Sequence, residues 1–268
     1  MAVAFLGSIS LFYGITGRSR RLADTAHYAA LWLAFSAVGV VFTYLMADLR
    51  MPLWDARFAR MDAALGFDWP AWLSLIAAHR PLKYLLEVAY SSLLPQIIFS
   101  IIYLSHIERP ELNHELLFAA FVSLVITSVL SGLLPALGAK VYFRGLHPGY
   151  LPDLLALRSG TASRFVLPKM QGIVTMPSFH AALAILFIYA HRPPARSCIP
   201  IALLNILMLL SLPSAGGHYL VDMIAGAAIA ALSIAIVRVA KDRIGVPTPV
   251  RHSIERLTSD TPRTRSLR

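Results

Sequence analysis

From Ala26 to Ala47 the chain passes without a single Asp, Glu, Lys or Arg, and that stretch restricts the fold more than any other feature. About 20 consecutive apolar residues let a helix cross the hydrocarbon core of a bilayer. Inside that core only helices and closed barrels satisfy their own backbone hydrogen bonds. Apolar runs recur at Leu82–Leu104, His114–Leu134, Pro177–His191, Cys198–Leu212 and Gly217–Ala240. Composition agrees: 57% of residues are hydrophobic, 14% are charged and the mean hydropathy is +0.65, against about 25% charged in an ordinary soluble domain. The expected fold class is all-α integral membrane, a six-transmembrane-helix bundle. Residues 1–240 read as one polytopic domain, and 241–268 as a basic, disordered cytoplasmic tail.

The connections carry further expectations. Asp48–Arg80 mixes acids and bases with Trp54, Trp69 and Trp72, which suits helices lying at the membrane interface in an outer loop. Met1–Gly17 reads as an interfacial helix or a marginal span and lacks the basic start of a signal peptide. Pro95 is expected to kink the second span, and Glu87 to lie near the interface or to be paired. Pro177 fits the first position of the fourth helix. Gly226 and its neighbouring alanines permit close helix packing. The single Cys198 excludes an intramolecular disulfide. The net charge of +10 is better explained by orientation and anionic lipid than by nucleic acid. Basic clusters at Arg18–Arg21, Arg192–Arg196 and in the tail put both termini in the cytoplasm. The long connection Pro135–Met176 then lies outside. It carries Lys140, Arg144, Arg158, Arg164 and Lys169 against the positive-inside rule, which suggests an anionic ligand there.

Three residues suggest chemistry at that outer face. His218 and Asp222 are four apart, so on a helix they share a face, and Asp222 could orient one imidazole nitrogen while the other reacts. His180 opens the preceding apolar run in Pro177-Ser178-Phe179-His180. Ionisable groups within membrane helices are costly and mark functional sites. Lys140, Arg144, His147, Arg158, Arg164 and Lys169 are candidates to neutralise phosphate oxygens, as phosphoryl transfer requires. Helix N-termini at Ser178 and Gly217 would add backbone donors. No metal or other cofactor is called for, and the sequence has no HExxH and no clustered carboxylates.

Pro-Ser-Phe-His at 177–180 resembles the second signature of the type 2 phosphatidic acid phosphatase superfamily, and His218-x-x-x-Asp222 resembles the end of its third. The resemblance implies that His218 is the nucleophile that becomes phosphohistidine, oriented by Asp222, with His180 as general acid and base. Two motif arginines are replaced: Lys140 is followed at motif spacing by His147-Pro148, and Leu212 stands where the third signature has Arg. The form His-Tyr-x-x-Asp is similar to the inositol phosphorylceramide synthase and sphingomyelin synthase branch, which implies transfer of a phosphate-linked headgroup. The implied partners are a lipid phosphate or phospholipid and an acceptor alcohol. The alternatives are a simple lipid phosphate phosphatase acting on phosphatidate or a polyprenyl phosphate, a bis-histidine cofactor protein, a transporter, and a silent lipid-binding relative.

Overall fold

The structure, a computed structural model, describes residues 1–161, 164–193 and 196–244. The expectation of a disordered tail falls on residues 245–268, outside the described residues, except that 241–244 continue the last helix. No strand occurs among the described residues. Helix α1 (Ala2–Thr16) packs beside α2 (Arg20–Ala47) and buries no residue of its own. Two short helices follow, α3 (Asp55–Ala64) and α4 (Trp69–Ala78). Asp68 caps α4 by accepting the Ala71 N–H at 2.9 Å, and Pro70 sits in its first turn, where a missing N–H costs nothing.

Among the described residues, four helices are long and apolar enough to cross a membrane: α2, α7 (Pro110–Leu133), α11 (Cys198–Ser211, extended by a π-helical turn over Leu212–Gly216) and α12 (Leu220–Ile244). Taken together, α5 (Arg80–Ser91) and α6 (Leu93–His106), bent by 49°, form a fifth candidate span. The chain is therefore a multi-pass membrane protein. The bend falls at Ser92, just upstream of Pro95, as expected of a proline whose ring crowds the carbonyl four residues before it. Pro95 stands in the first turn of α6, where its ring is tolerated while helix upstream of it is disfavoured. Glu87 pairs with Lys83 at 3.8 Å, and both are half-exposed.

The run expected as the fourth span is a 12-residue helix, α10 (Phe179–Ala190), about 18 Å long at 1.5 Å per residue. It does not extend past His191. Its Ala181, Ala182, Leu183, Ala184, Leu186, Phe187 and Ala190 are all buried, because α7, α11 and α12 surround it. The connection 135–176 folds into α8 (Ala139–Arg144), α9 (Leu151–Ser159) and a short 3-10 turn at Leu167–Lys169.

Glycine brings α10 and α12 together. A Cβ on Gly226 would lie 2.3 Å from the Ser178 carbonyl oxygen, an approach no side chain permits. At the far ends of the same helices, buried Glu115 of α7 accepts from Arg192 at 2.7 Å, Lys241 at 2.9 Å and the Tyr189 hydroxyl at 3.1 Å. The two ends of the bundle therefore differ in chemistry, with this ion-paired cluster at one and His180 and His218 at the other.

Candidate active site

Helix α10 starts at Phe179 because Ser178 caps it, its Oγ accepting the Ala181 N–H at 3.2 Å. Pro177 precedes the cap and is not the first helical residue. His180 thus stands in the first turn. Its ring stacks on Tyr90 of α5, with centroids 4.8 Å apart and planes 14° apart, and lies 6.2 Å from the His218 ring.

His218 is not helical. It lies between the π-helical turn and α12, which starts at Leu220, so the expected shared helix face is replaced by a turn. The adjacency persists in looser form: His218 Nδ1 is 3.5 Å from Asp222 Oδ2. Its closer partner is the Thr175 carbonyl oxygen, at 2.9 Å. A carbonyl only accepts, so Nδ1 bears the proton and Nε2 keeps its lone pair. Asp222 Oδ2 accepts the Tyr219 N–H at 2.9 Å, while Oδ1 has no partner among the described residues. The Asp222 carbonyl accepts the Ser178 N–H at 2.9 Å, which ties the cap of α10 to the first turn of α12.

Sequence reasoning missed the parts that hold this turn in place. Helix α3 carries two buried carboxylates, Asp55 and Asp62, seven residues apart and so on one face. Asp62 accepts the N–H groups of Leu220 at 2.8 Å and Val221 at 3.0 Å, which are orphan donors of the first turn of α12. Asp55 accepts from the N–H groups of Leu137 and Gly138, at 2.9 Å and 3.0 Å, and from the Tyr219 hydroxyl at 2.9 Å. Thr175 adds a strap: its carbonyl accepts the His218 Nδ1–H bond and its hydroxyl donates to the Ala136 carbonyl at 2.8 Å. The only prior hint was two acids two turns apart on a short segment rich in aromatic residues.

Gly217 is not a helix N-terminus. It ends the π-helical turn at φ 76°, and its carbonyl accepts the Ala139 N–H at 2.8 Å. The donors at the start of α12 are already taken by Asp62 and Asp222. At α10, by contrast, no acceptor among the described residues takes the Phe179 or His180 N–H.

The basic candidates separate. Lys140 reaches the turn, donating to the Ala215 carbonyl at 2.6 Å. Burial lowers its pKa, Lys83 adds to that effect and Glu87 opposes it. Burial also pushes the His218 pKa down to about 4, against the bond to Thr175, and raises that of Asp62 against its two backbone bonds. Arg144 lines a cleft of about 420 Å³ together with Lys140, Lys83, Glu87, Ser214 and Ala215. Arg158 donates to the Met51 carbonyl at 3.0 Å. His147, Arg164 and Lys169 are exposed.

In this arrangement one neutral imidazole, with its tautomer fixed, faces a second imidazole across a short gap bordered by a lysine and a helix N-terminus. It can deliver a nucleophile and a proton to a phosphorus centre between them. A family model described as the PAP2 superfamily matches residues 56–236. Comparisons with curated proteins and with solved structures give no match.

Proposed function

Because the chain belongs to the PAP2 superfamily, whose membership points to phosphatase or phosphotransferase chemistry on lipid phosphates, we propose that His218 is the nucleophile of a membrane-embedded lipid phosphotransferase. The observation that carries this reading is the Nδ1–H bond from His218 to Thr175, which leaves Nε2 with a free lone pair on a ring 6.2 Å from that of His180. In the first step Nε2 attacks phosphorus, an N–P bond forms, the P–O bond to the leaving group breaks, and His180 protonates the departing oxygen. In the second step His180 takes the proton of an acceptor hydroxyl, that oxygen attacks phosphorus, and the N–P bond breaks. Asp222, at 3.5 Å in the resting site, draws closer as His218 gains positive charge. Lys140 and the free N–H groups of Phe179 and His180 neutralise the phosphoryl oxygens. We read Arg144 as a further contributor. His147, Arg158, Arg164 and Lys169 are left to headgroup contacts at the rim.

Transfer of a headgroup in the manner of inositol phosphorylceramide synthase is the favoured outcome, and hydrolysis of a lipid phosphate is the alternative. Transfer is supported by the His-Tyr-x-x-Asp form. In this reading α10 is a sixth crossing, short because protein and not lipid surrounds it. The helices α3 and α4 lie at the interface, and the active site opens on the extracytoplasmic face with both termini in the cytoplasm. The Glu115–Arg192–Lys241 cluster at the opposite end of the bundle suits the cytoplasmic side.

The test incubates purified protein with labelled lipid phosphates and phosphodiesters, with and without an acceptor alcohol. An acid-labile label on His218 and a product containing the acceptor are expected. A substrate with a good leaving group should partly rescue His180→Ala and not His218→Ala. The opposite rescue would exchange the two roles, and full activity in either variant would reject the site.

A further inference from the structure

Helix α5 turns one side toward the catalytic turn. Lys83, Glu87 and Tyr90 follow one another at four and three residues, a spacing that aligns them along a single helix face. At the inner end of this row the Tyr90 ring lies on His180. A Cβ placed on Gly216 would be 3.0 Å from the edge of Tyr90 and 2.9 Å from Cδ2 of His218, so Tyr90 borders the space between the two imidazoles. At the outer end Lys83 and Glu87 line the cleft shared with Lys140 and Arg144. Cleft and reaction centre therefore adjoin along one face of α5, beside residues 214–217.

The charges around the cleft are unbalanced. Lys83, Lys140 and Arg144 surround a single carboxylate, Glu87. The Lys83–Glu87 contact of 3.8 Å, with side chains 56% and 54% exposed, is too long and too wet to hold both groups, so each is open to a ligand. Lys140 spends one of its three donors on Ala215. Among the described residues no aromatic ring lines the cleft, which leaves it without a cage for a quaternary ammonium.

We propose that this face of α5 is a headgroup subsite. It receives the polar group bound to the reacting phosphate and selects uncharged or anionic headgroups that carry hydroxyls over headgroups that end in a quaternary ammonium. Glu87 accepts from a hydroxyl, and Lys83 and Arg144 donate to hydroxyl or phosphate oxygens. The proposal rests on the reading of His218 as the nucleophile at a lipid phosphate.

The test uses the full chain in nanodiscs, with phosphatidylglycerol and phosphatidylcholine of matched acyl chains as competing substrates, and reads the ratio of their kcat/KM values. The unmodified protein should favour phosphatidylglycerol by about tenfold or more. Lys83→Glu, at an exposed position that tolerates the change, should lower that ratio by about tenfold, with Lys83→Gln between the two. A wild-type preference for phosphatidylcholine, or a ratio that both variants leave unaltered while turnover persists, would overturn the subsite alone. Turnover of neither lipid, with no label on His218, would remove the nucleophile reading and this proposal with it.

Discussion

Removing the Asp62 carboxylate should loosen the catalytic turn although the residue touches no imidazole. Asp62 is 1% exposed and accepts two N–H groups at the start of α12, from Leu220 and Val221. Asp62→Ala leaves both donors buried without an acceptor, at about 1–3 kcal/mol each. Part of this is offset because the carboxylate is no longer desolvated, so a net loss of about 2–4 kcal/mol is expected. That corresponds to a fall in Tm of about 4–16 °C for a chain of this size. Asp62→Asn keeps one acceptor and should lose about half as much. His218 stands two residues before Leu220, so its Nε2 shifts when the turn relaxes. A displacement of about 1 Å costs on the order of a hundredfold in rate. The sign of the pH effect follows from burial, which raises the Asp62 pKa above its ordinary 3.8. The native protein then holds this proton more tightly than the unfolded chain, and wild-type stability falls as pH rises through the window just above 3.8. The deficit of Asp62→Asn should narrow in the same direction. Unfolding midpoints in mixed micelles and single-turnover labelling of His218 measure both effects. An Asp62→Ala protein with the wild-type midpoint and undiminished turnover would refute the reasoning.

Three further outcomes follow from the geometry. Gly226→Ala puts a methyl 2.3 Å from the Ser178 carbonyl oxygen, so α10 and α12 must separate; a loss of about 1–3 kcal/mol is expected in the same unfolding assay. Asp222→Asn should lower kcat on the order of a thousandfold with little change in KM. A fall in KM affinity alone would mean that Asp222 binds substrate instead of orienting His218. The pH profile should place His218 well below an ordinary imidazole. Burial favours its neutral form, and with a good leaving group, where His180 need not donate, the rate should rise with pH through about 4 and level off before 6.5. A midpoint at or above 6.5 would contradict the buried, neutral nucleophile.

The sequence by itself marked the long apolar helices and the candidate reacting groups. A bilayer demands apolar runs of fixed length and internally satisfied backbone, so α2, α7, α11 and α12 can be read from local composition alone. His180, His218 and Asp222 stand out because ionisable groups are rare among apolar neighbours. Only the tertiary structure decided what holds them. The Thr175 carbonyl that sets the His218 tautomer is a backbone atom 43 residues away, and no side-chain pattern announces it. Asp62 meets Leu220 across 158 positions and Asp55 meets Tyr219 across 164, distances at which spacing carries no signal. The start of α12 moved from Gly217 to Leu220, and the kink expected from Pro95 falls just upstream of it, at Ser92. Helix ends are settled by whichever acceptors reach the orphan donors, and those acceptors come from other parts of the chain.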